Sequence, residues 1–382
     1  MPIQEREYLQ RINDFQKRMK EKEVDIAFIY GNDSEPLYLR YLSNFWPNFE
    51  AGALLVPQQG EPTLLTGPEL DYYVRSVSPI KSIKKVYELK ELSSPIYNDD
   101  TILSFQDVLK AFVSVNKAQR LGVVGYDLIP HIIWCILNQY SSDNEIICLD
   151  EDIIHQKSVK SEAEQELLRQ SFLITEDAFD QLLHEIKPGM TEAEVTACAL
   201  HLMARKGAEA PSFSMWCASG PNSKHVIHRS TTRRVEKNEL INIGIGCRID
   251  GYCSSIGRSL VFGKLNNKAE KLVKDAAEIG EEALDLFIAG YNSGGIADKI
   301  AELSGNKGYA PIYGPAHSTG LVECERPWVE KGNPFDLKSG MVFNIDIWLE
   351  NGIVGTRFED GIIVKEGKSE RMSGRRTGLI EL

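Results

Sequence analysis

Apolar and charged positions recur along residues 5–23 with the spacing of an amphipathic helix. "VDIAFIYG" follows as an apolar run closed by glycine, the pattern of a buried strand. "AGALLVPQQGEPTLLTG" sets two apolar runs around a polar turn containing glycine and predicts a hairpin. Further short strands are expected at "IKKVYEL", "LGVVGY" and "NEIICLD", with a helix over 104–118 ahead of the second. This alternation predicts a small α/β domain over residues 1–155. The pattern then changes. "HQKSVKSEAEQELLRQSFLITEDAFDQLLHEI" carries a long amphipathic helix, with Ser161 as its cap and Glu164 in the capping-box position. "KPGMTEAEVTACALHLMARKG" repeats the device with Thr191 and Glu194. From residue 212 strands take over. "ELINIGIGCRIDGYCSSIGRSLVFG" is hairpin-like, helices are expected at 267–288 and 293–304, and "SGMVFNIDIWLENGIVGTRFEDGIIVKEG" is a pair of strands around a glycine-containing turn. The expected class is α+β, with a larger domain over 156–382 built around an antiparallel sheet.

Composition narrows the function classes. The 382 residues suffice for more than one core. A hydrophobic content of 42% with 26% charged residues predicts a soluble globular chain. The net charge of -12, from 43 basic and 55 acidic residues, argues against nucleic acid or an anionic membrane surface as partner. No apolar run reaches the ~18 residues a membrane span needs. The polar start "MPIQEREYLQRINDF" shows no signal-peptide core. Seven scattered cysteines without a CxxC pair predict free thiols in a reducing cytoplasm.

Candidate chemistry concentrates near the C-terminus. "GPAHSTGLVECERPW", residues 314–328, places His317 beside a glycine-bounded turn and Cys324 seven residues later between Glu323 and Glu325. Asp346 interrupts the apolar run "MVFNIDIW", where a carboxylate is costly unless paired, protonated or metal-bound. Asn344, Asp346 and Trp348 share one strand face. Glu359, between Phe358 and "GIIV", has the surroundings of an inward-facing strand position. Histidine and carboxylates are ordinary ligands for Zn or Mn. His317, Asp346 and Glu359 thus form a candidate set for one divalent ion, and the same groups can serve as acids and bases without metal.

Four stretches in order, "KSEAEQELLRQS", "PGMTEAEV", "DGYCSSIGRSLVFG" and "SGMVFNIDI…TRFEDGIIV", resemble the catalytic domain of the creatinase, aminopeptidase P and methionine aminopeptidase superfamily, the pita-bread fold. The N-terminal part resembles the smaller domain of the creatinase and prolidase branch. The resemblance implies two aspartates, a histidine and two further carboxylates as metal ligands. Gly244 and Ser255 occupy the two aspartate positions. His317, Asp346 and Glu359 match the remaining three, with Ile347-Trp348 in place of Pro-Gly after Asp346. Cys324 matches a second family histidine, and Glu325 and Pro327 keep its setting. Two cations roughly 3.5–4 Å apart need several carboxylates, so a dinuclear centre is not expected, and the cofactor is a single Mn or Zn ion or none. Creatinase, a metal-free member, has a glutamate where this chain has Gly257, so its pattern is not reproduced either.

The resemblance also implies roles. His228, after the "SGPNS" turn at 219–223, matches the substrate-side histidine, with His225 as the alternative. The expected catalytic residues are His228, His317, Cys324 and Glu359. Cys324 stands either as a small buried thiol in the space of the absent histidine or as a nucleophile. Arg357, Arg326 and Trp216 are the expected substrate contacts, and Arg258 a structural arginine. Cys217, Cys247 and Cys253 lack ligand spacing and are expected to be packing. The segment 31–46, with Tyr38, Tyr41 and Trp46, either reaches a partner subunit's site, as in the family, or packs the small domain. The expected activity is hydrolysis of a C–N bond in a small amino-acid-like substrate or short peptide by a homodimer. Xaa-Pro peptidase activity and a non-catalytic binding role are the alternatives.

Overall fold

The computed structural model describes residues 3–93, 95–140 and 145–382. The chain divides into a compact unit over residues 3–157 and a second over 158–382.

The N-terminal unit begins with helix α1 (Glu5–Glu21), which buries Tyr8, Ile12, Phe15 and Met19, the apolar stripe of its sequence. Strand β1 (Ile26–Gly31) is buried throughout and is followed by α2 (Leu37–Ser43). The predicted hairpin forms as β2 (Gly52–Pro57) and β3 (Thr63–Thr66), antiparallel from Gly52 opposite Thr66 to Leu55 opposite Thr63. Helix α3 (Asp71–Val77) leads to β4 (Ser82–Lys85). The expected strand at "IKKVYEL" thus ends early, and Tyr87–Leu89 turn as a single 3-10 helix. Helix α4 (Phe105–Asn116), capped by Ser104, precedes β5 (Leu121–Val124). Helix α5 (His131–Tyr140) escaped the sequence reading, because its short apolar run fits a strand as well as a helix. Strand β6 (Ile146–Cys148) and helix α6 (Asp150–Ser158) complete the series. The sheet order is β4-β3-β2-β1-β5-β6, with β1 antiparallel to β2 and parallel to β5. Tyr41 is buried beneath the Arg11 guanidinium, 4.3 Å from its ring centroid, and the Trp46 indole donates to the Asp33 carbonyl at 2.9 Å.

In the C-terminal unit, helices α7 (Glu162–Glu185) and α8 (Glu192–Arg205) both start with a complete capping box, at Ser161–Glu164 and Thr191–Glu194, as their sequences require. Short β7 (Ala210–Pro211) precedes β8 (Trp216–Ser219) and β9 (Ile241–Ile245). Strands β10 (Cys247–Ile249) and β11 (Tyr252–Cys253) meet across Asp250 and Gly251, both at positive φ, as a two-residue hairpin turn demands. Strand β12 (Ile256–Val261) follows, then helices α9 (Asn267–Leu284) and α10 (Ser293–Asn306). The remaining strands are β13 (Ala316–Ser318), β14 (Glu325–Val329), β15 (Val342–Glu350), β16 (Gly355–Ile363), β17 (Glu370–Arg371) and β18 (Leu379–Glu381). The main sheet runs β14-β13-β15-β16-β12-β9-β8, with β17 and β18 as side pairings. The unit is a pita-bread-like α+β domain.

Period-two patterning decides which face carries chemistry. Phe343, Ile345, Ile347 and Leu349 of β15 are buried in one core with Leu272, Ile279 and Ile300 of α9 and α10. Ile241, Ile243 and Ile245 of β9 are buried in another with Phe172, Phe179 and Val195 of α7 and α8. Each such side chain contributes about 1.5–3 kcal/mol by burial. The intervening residues Asn344, Asp346 and Trp348 are left for the opposite face. Arg258 pins the layers together. It donates to Glu176 of α7 at 2.8 Å, to Asp360 at 2.7 Å and to the Glu359 carbonyl at 2.8 Å, all buried. The expected structural role of Arg258 is therefore the one it has. Among the described residues no helix is long and apolar enough to cross a membrane.

Candidate functional site

A row of residues in register crosses five strands of the main sheet. Trp216 on β8 faces Gly244 on β9, Gly244 faces Gly257 on β12, Gly257 faces Glu359 on β16, and Glu359 faces Asp346 on β15. Facing residues share a side of the sheet, so the row is a floor with bulk at both ends and two glycines between. His317 on β13 lies opposite Asn344 and Trp328, two residues along β15 from this row and on the same face.

His317, Glu323 and Glu359 bring one donor atom each within 4.8 Å of one another, the one such group of three or more among the described residues. The His317 ring is buried against Trp328, centroids 5.2 Å apart. Its Nδ1 lies 3.1 Å from the Ser318 carbonyl, which can only accept, so Nδ1 carries the proton. Nε2 then faces Glu323 Oε1 at 3.5 Å. Burial opposes the imidazolium, but Glu323, the hydrogen-bonded Cys324 thiol and Glu359 outweigh it and hold the ring's pKa well above 6.5. Glu359 accepts from the Asn344 amide at 3.0 Å. Burial first, then the charges of Asp346 and Glu323, push its carboxyl upward.

The donor chemistry fits one divalent ion: one imidazole and two carboxylates, with the buried Asn344 Oδ1 left without a hydrogen-bond partner. It does not fit two. Gly244 supplies no side chain, and the buried Ser255 hydroxyl is no substitute for a carboxylate.

Two expectations change here. Asp346, expected as the third ligand, lies outside the donor group and is paired with Arg357, Nε to Oδ1 at 3.1 Å. Glu323 takes its place, because the loop after β13 turns back and carries Glu323 toward the His317 ring. Cys324 is exposed, not the buried filler thiol expected as one option. Arg357 is enclosed. Its guanidinium lies 5.5 Å from the Trp216 ring and 5.8 Å from the Trp348 ring, and it donates to the Val226 carbonyl and the Tyr313 hydroxyl, both at 3.2 Å. Burial and the charge of Asp346 push the Tyr313 phenol upward. Arg326 is exposed on β14. Beside the site a buried Lys160 pairs with Glu325 at 3.6 Å and donates to Ser318 at 2.7 Å.

His228 belongs to a separate hydrogen-bonded group. Its Nε2 faces Glu192 at 3.2 Å, and its Nδ1 is 3.3 Å from that of His225. Glu192 was not singled out in the sequence. It is fully buried at the start of α8 and accepts from Ser219 N and Oγ, Asn222 Nδ2, and Thr231 N and Oγ1. The "SGPNS" turn therefore donates to a protein carboxylate. Burial alone would raise the Glu192 pKa, but these donors hold it at about 2. The available signal was an acidic residue in the first helical turn, which is common enough to pass as dipole compensation. Cys217, Cys247 and Cys253 are buried and belong to no candidate metal group among the described residues.

A pita-bread domain with a histidine–carboxylate donor group carried by β13, β16 and the loop after β13 defines a class, the metal-dependent hydrolases of this fold. Residues 166–366 match the profile described as metallopeptidase family M24, and residues 11–154 match the creatinase/prolidase N-terminal domain. The chain belongs to metallopeptidase family M24 and is a hydrolase of that family with a site that departs from the dinuclear pattern. It is 26% identical to a Xaa-Pro dipeptidase of Pyrococcus furiosus, covering 97% of this chain and 99% of the relative. It is also 28% identical over 250 residues to an uncharacterized peptidase of Bacillus subtilis, covering 63% and 69%. Its fold matches the X-Pro aminopeptidase structure from Thermotoga maritima with a TM-score of 0.85 at 22% identity, covering 97% and 99% of the two chains. The Xaa-Pro dipeptidase structure from Bacillus anthracis matches at 0.84, also at 22% identity, covering 98% and 100%.

Proposed function

We propose that this chain hydrolyses the amide bond of a short peptide of the Xaa-Pro type, aided by one divalent ion held by His317, Glu323 and Glu359. The observation that carries the reading is the donor group of buried His317 and Glu359 and half-buried Glu323 within the M24 segment. Relatives named Xaa-Pro dipeptidase, similar over nearly the full length, support the substrate class. An ion of this kind, when bound, polarises a carbonyl and lowers the pKa of a bound water. The protein's own groups do the rest. The Asn344 amide fixes Glu359. His228, held at Nε2 by Glu192 and at Nδ1 by His225, is the proposed proton-transfer residue, with His225 as its relay. Arg326 is the proposed contact for a substrate carboxylate, and Arg357 and Trp216 form one wall. Cys324, exposed and hydrogen-bonded to His317, is the proposed alternative nucleophile.

A panel of Xaa-Pro dipeptides, other dipeptides, small amides and amidines, assayed with and without Mn²⁺ or Zn²⁺, tests this. Metal-dependent Xaa-Pro turnover that Glu359→Gln abolishes is the expected result. The loss of carboxylates at Gly244 and Ser255 favours a second reading, hydrolysis of a C–N bond in another amino-acid-like substrate. Turnover confined to amides or amidines would establish that reading instead. Ligand-induced stabilisation without turnover would establish a binding protein, and a covalent adduct lost in Cys324→Ser would move the chemistry to the thiol.

A cytoplasmic homodimer is part of the same proposal. Light scattering at micromolar concentration is expected to give twice the 42.9 kDa chain mass, and a monomer throughout would remove the dimer.

A further inference from the structure

We propose that Lys160 is a positioning residue for the ion site: its buried ammonium staples the two ends of the loop 319–324 and so sets two of the three donors, His317 and Glu323. The inference rests on the single-ion reading above. The loop joins Ser318, the last residue of β13, to Glu325, the first of β14. Lys160 reaches both. Its Nζ donates to Ser318 Oγ at 2.7 Å and lies 3.6 Å from Glu325 Oε2. The side chains of Lys160 and Glu325 are each 2% exposed, so water and salt screen their attraction little. Each end of the loop governs one donor. At the β13 end the Ser318 carbonyl accepts from His317 Nδ1 at 3.1 Å, which leaves Nε2 for the ion. At the β14 end the Glu325 carboxylate turns into the loop. Its Oε1 accepts from Val322 N at 3.3 Å and would stand 2.7 Å from a Cβ at Gly320. Val322 directly precedes Glu323, so that bond fixes the chain where Glu323 turns toward the imidazole at 3.5 Å. Lys160 is held in turn. Its N–H donates to the Gly340 carbonyl at 2.9 Å, its carbonyl accepts from Gln165 Nε2 at 2.8 Å, and it stands immediately before Ser161, the cap of α7. A loop free at both ends would have to be ordered by the ion itself, which weakens binding. With both ends stapled, the donors are in place before the ion arrives.

The test compares wild type, Lys160→Met and the double variant Lys160→Met/Glu325→Gln, each with and without Glu323→Gln. The double variant removes both charges together and leaves no unpaired charge in the interior, so a folded protein is at hand even if Lys160→Met unfolds. Calorimetric titration of the metal-free chains with Mn²⁺ and Zn²⁺ is expected to show about tenfold or more weaker binding in the Lys160 variants, the loss that follows removal of a group supporting a ligand. Glu323→Gln is expected to cost less affinity in the double variant than in wild type, because Glu323 is already unfixed there. Hydrogen exchange of the metal-free proteins supplies a readout independent of metal. The amides of 319–324 are expected to exchange several-fold faster in the double variant, with those of α8 and α9 unchanged, a local pattern that general destabilisation does not give. A folded Lys160 variant that binds the ion as tightly as wild type, a Glu323→Gln loss undiminished in the double variant, or loop exchange no faster than in wild type would each overturn the inference, while an ion on wild type kept the single-ion reading intact. Wild type that binds no ion, with the loop still exchanging faster in the double variant, would sink the single-ion reading and leave the staple standing.

Discussion

His317→Ala is expected to lower the affinity of the chain for Mn²⁺ or Zn²⁺ by roughly 100-fold or more, since loss of a group merely supporting a ligand already costs about 10–100-fold. The imidazole is one of three donors within 4.8 Å, so its removal leaves two carboxylates and nothing softer. Glu359→Gln and Glu323→Gln are expected to fall in the same direction, because an amide is a weaker ligand than a carboxylate. Cys324→Ser is expected to leave the affinity unchanged, as the thiol is outside the group. Elemental analysis after dialysis, with calorimetric titration of each variant, decides the matter. Two tightly held ions per wild-type chain, or a His317→Ala protein that binds as wild type does, would rule out this centre.

Glu192→Ala is expected to destabilise the fold by about 3 kcal/mol or more, a large share of an ordinary domain's stability. The change leaves buried donors from Ser219, Asn222, Thr231 and His228 facing a void. The same carboxylate predicts a pH effect. Its pKa is about 2 in the folded chain against an ordinary 4.5, so ionised Glu192 contributes its full stabilisation above pH 4.5. That contribution, about 3 kcal/mol for a difference of this size, is lost as pH falls from 4.5 toward 2. Acid titrations of denaturant stability should therefore be flatter in Glu192→Gln over this window. Equal slopes in the two proteins would mean that Glu192 is not held ionised by its donors. Because the loop that carries His228 hangs on Glu192, the variant is also expected to lose turnover of whichever substrate the dipeptide panel identifies.

Much of the fold was legible because its signals are local. Ser161, Thr191 and their glutamates three residues on define helix starts without reference to anything distant. Alternation along "MVFNIDIW" separates a core face from a chemical face and places Asn344 and Asp346 together. Helix α5 was missed because its apolar run carries no period to choose by. The candidate donor group was legible in its strand members, His317 and Glu359, and illegible in its loop member. Glu323 and Glu325 are equivalent in the string "VECERPW", yet one approaches the imidazole and the other is buried against Lys160. Only the path of the chain after β13 distinguishes them. Asp346 shows the converse: burial of a carboxylate correctly announced a partner, but a cation of the protein satisfies that requirement as well as a metal does. Glu192 failed to register because its partners come from a loop whose return to α8 is a tertiary event.

The indole over Gly244 makes a carboxylate at that position difficult to install. An aspartate introduced at 244 in the present background would place its first side-chain carbon against a buried ring. A one-step reversion is therefore penalised before any ligand can be gained. Trp216 would have to shrink first, and that step strips one aromatic wall from Arg357 with no carboxylate yet in return. Either substitution made alone therefore disturbs the Trp216–Arg357 packing before a ligand is gained. Packing alone thus keeps position 244 without a side chain, whatever ligand an aspartate there would offer.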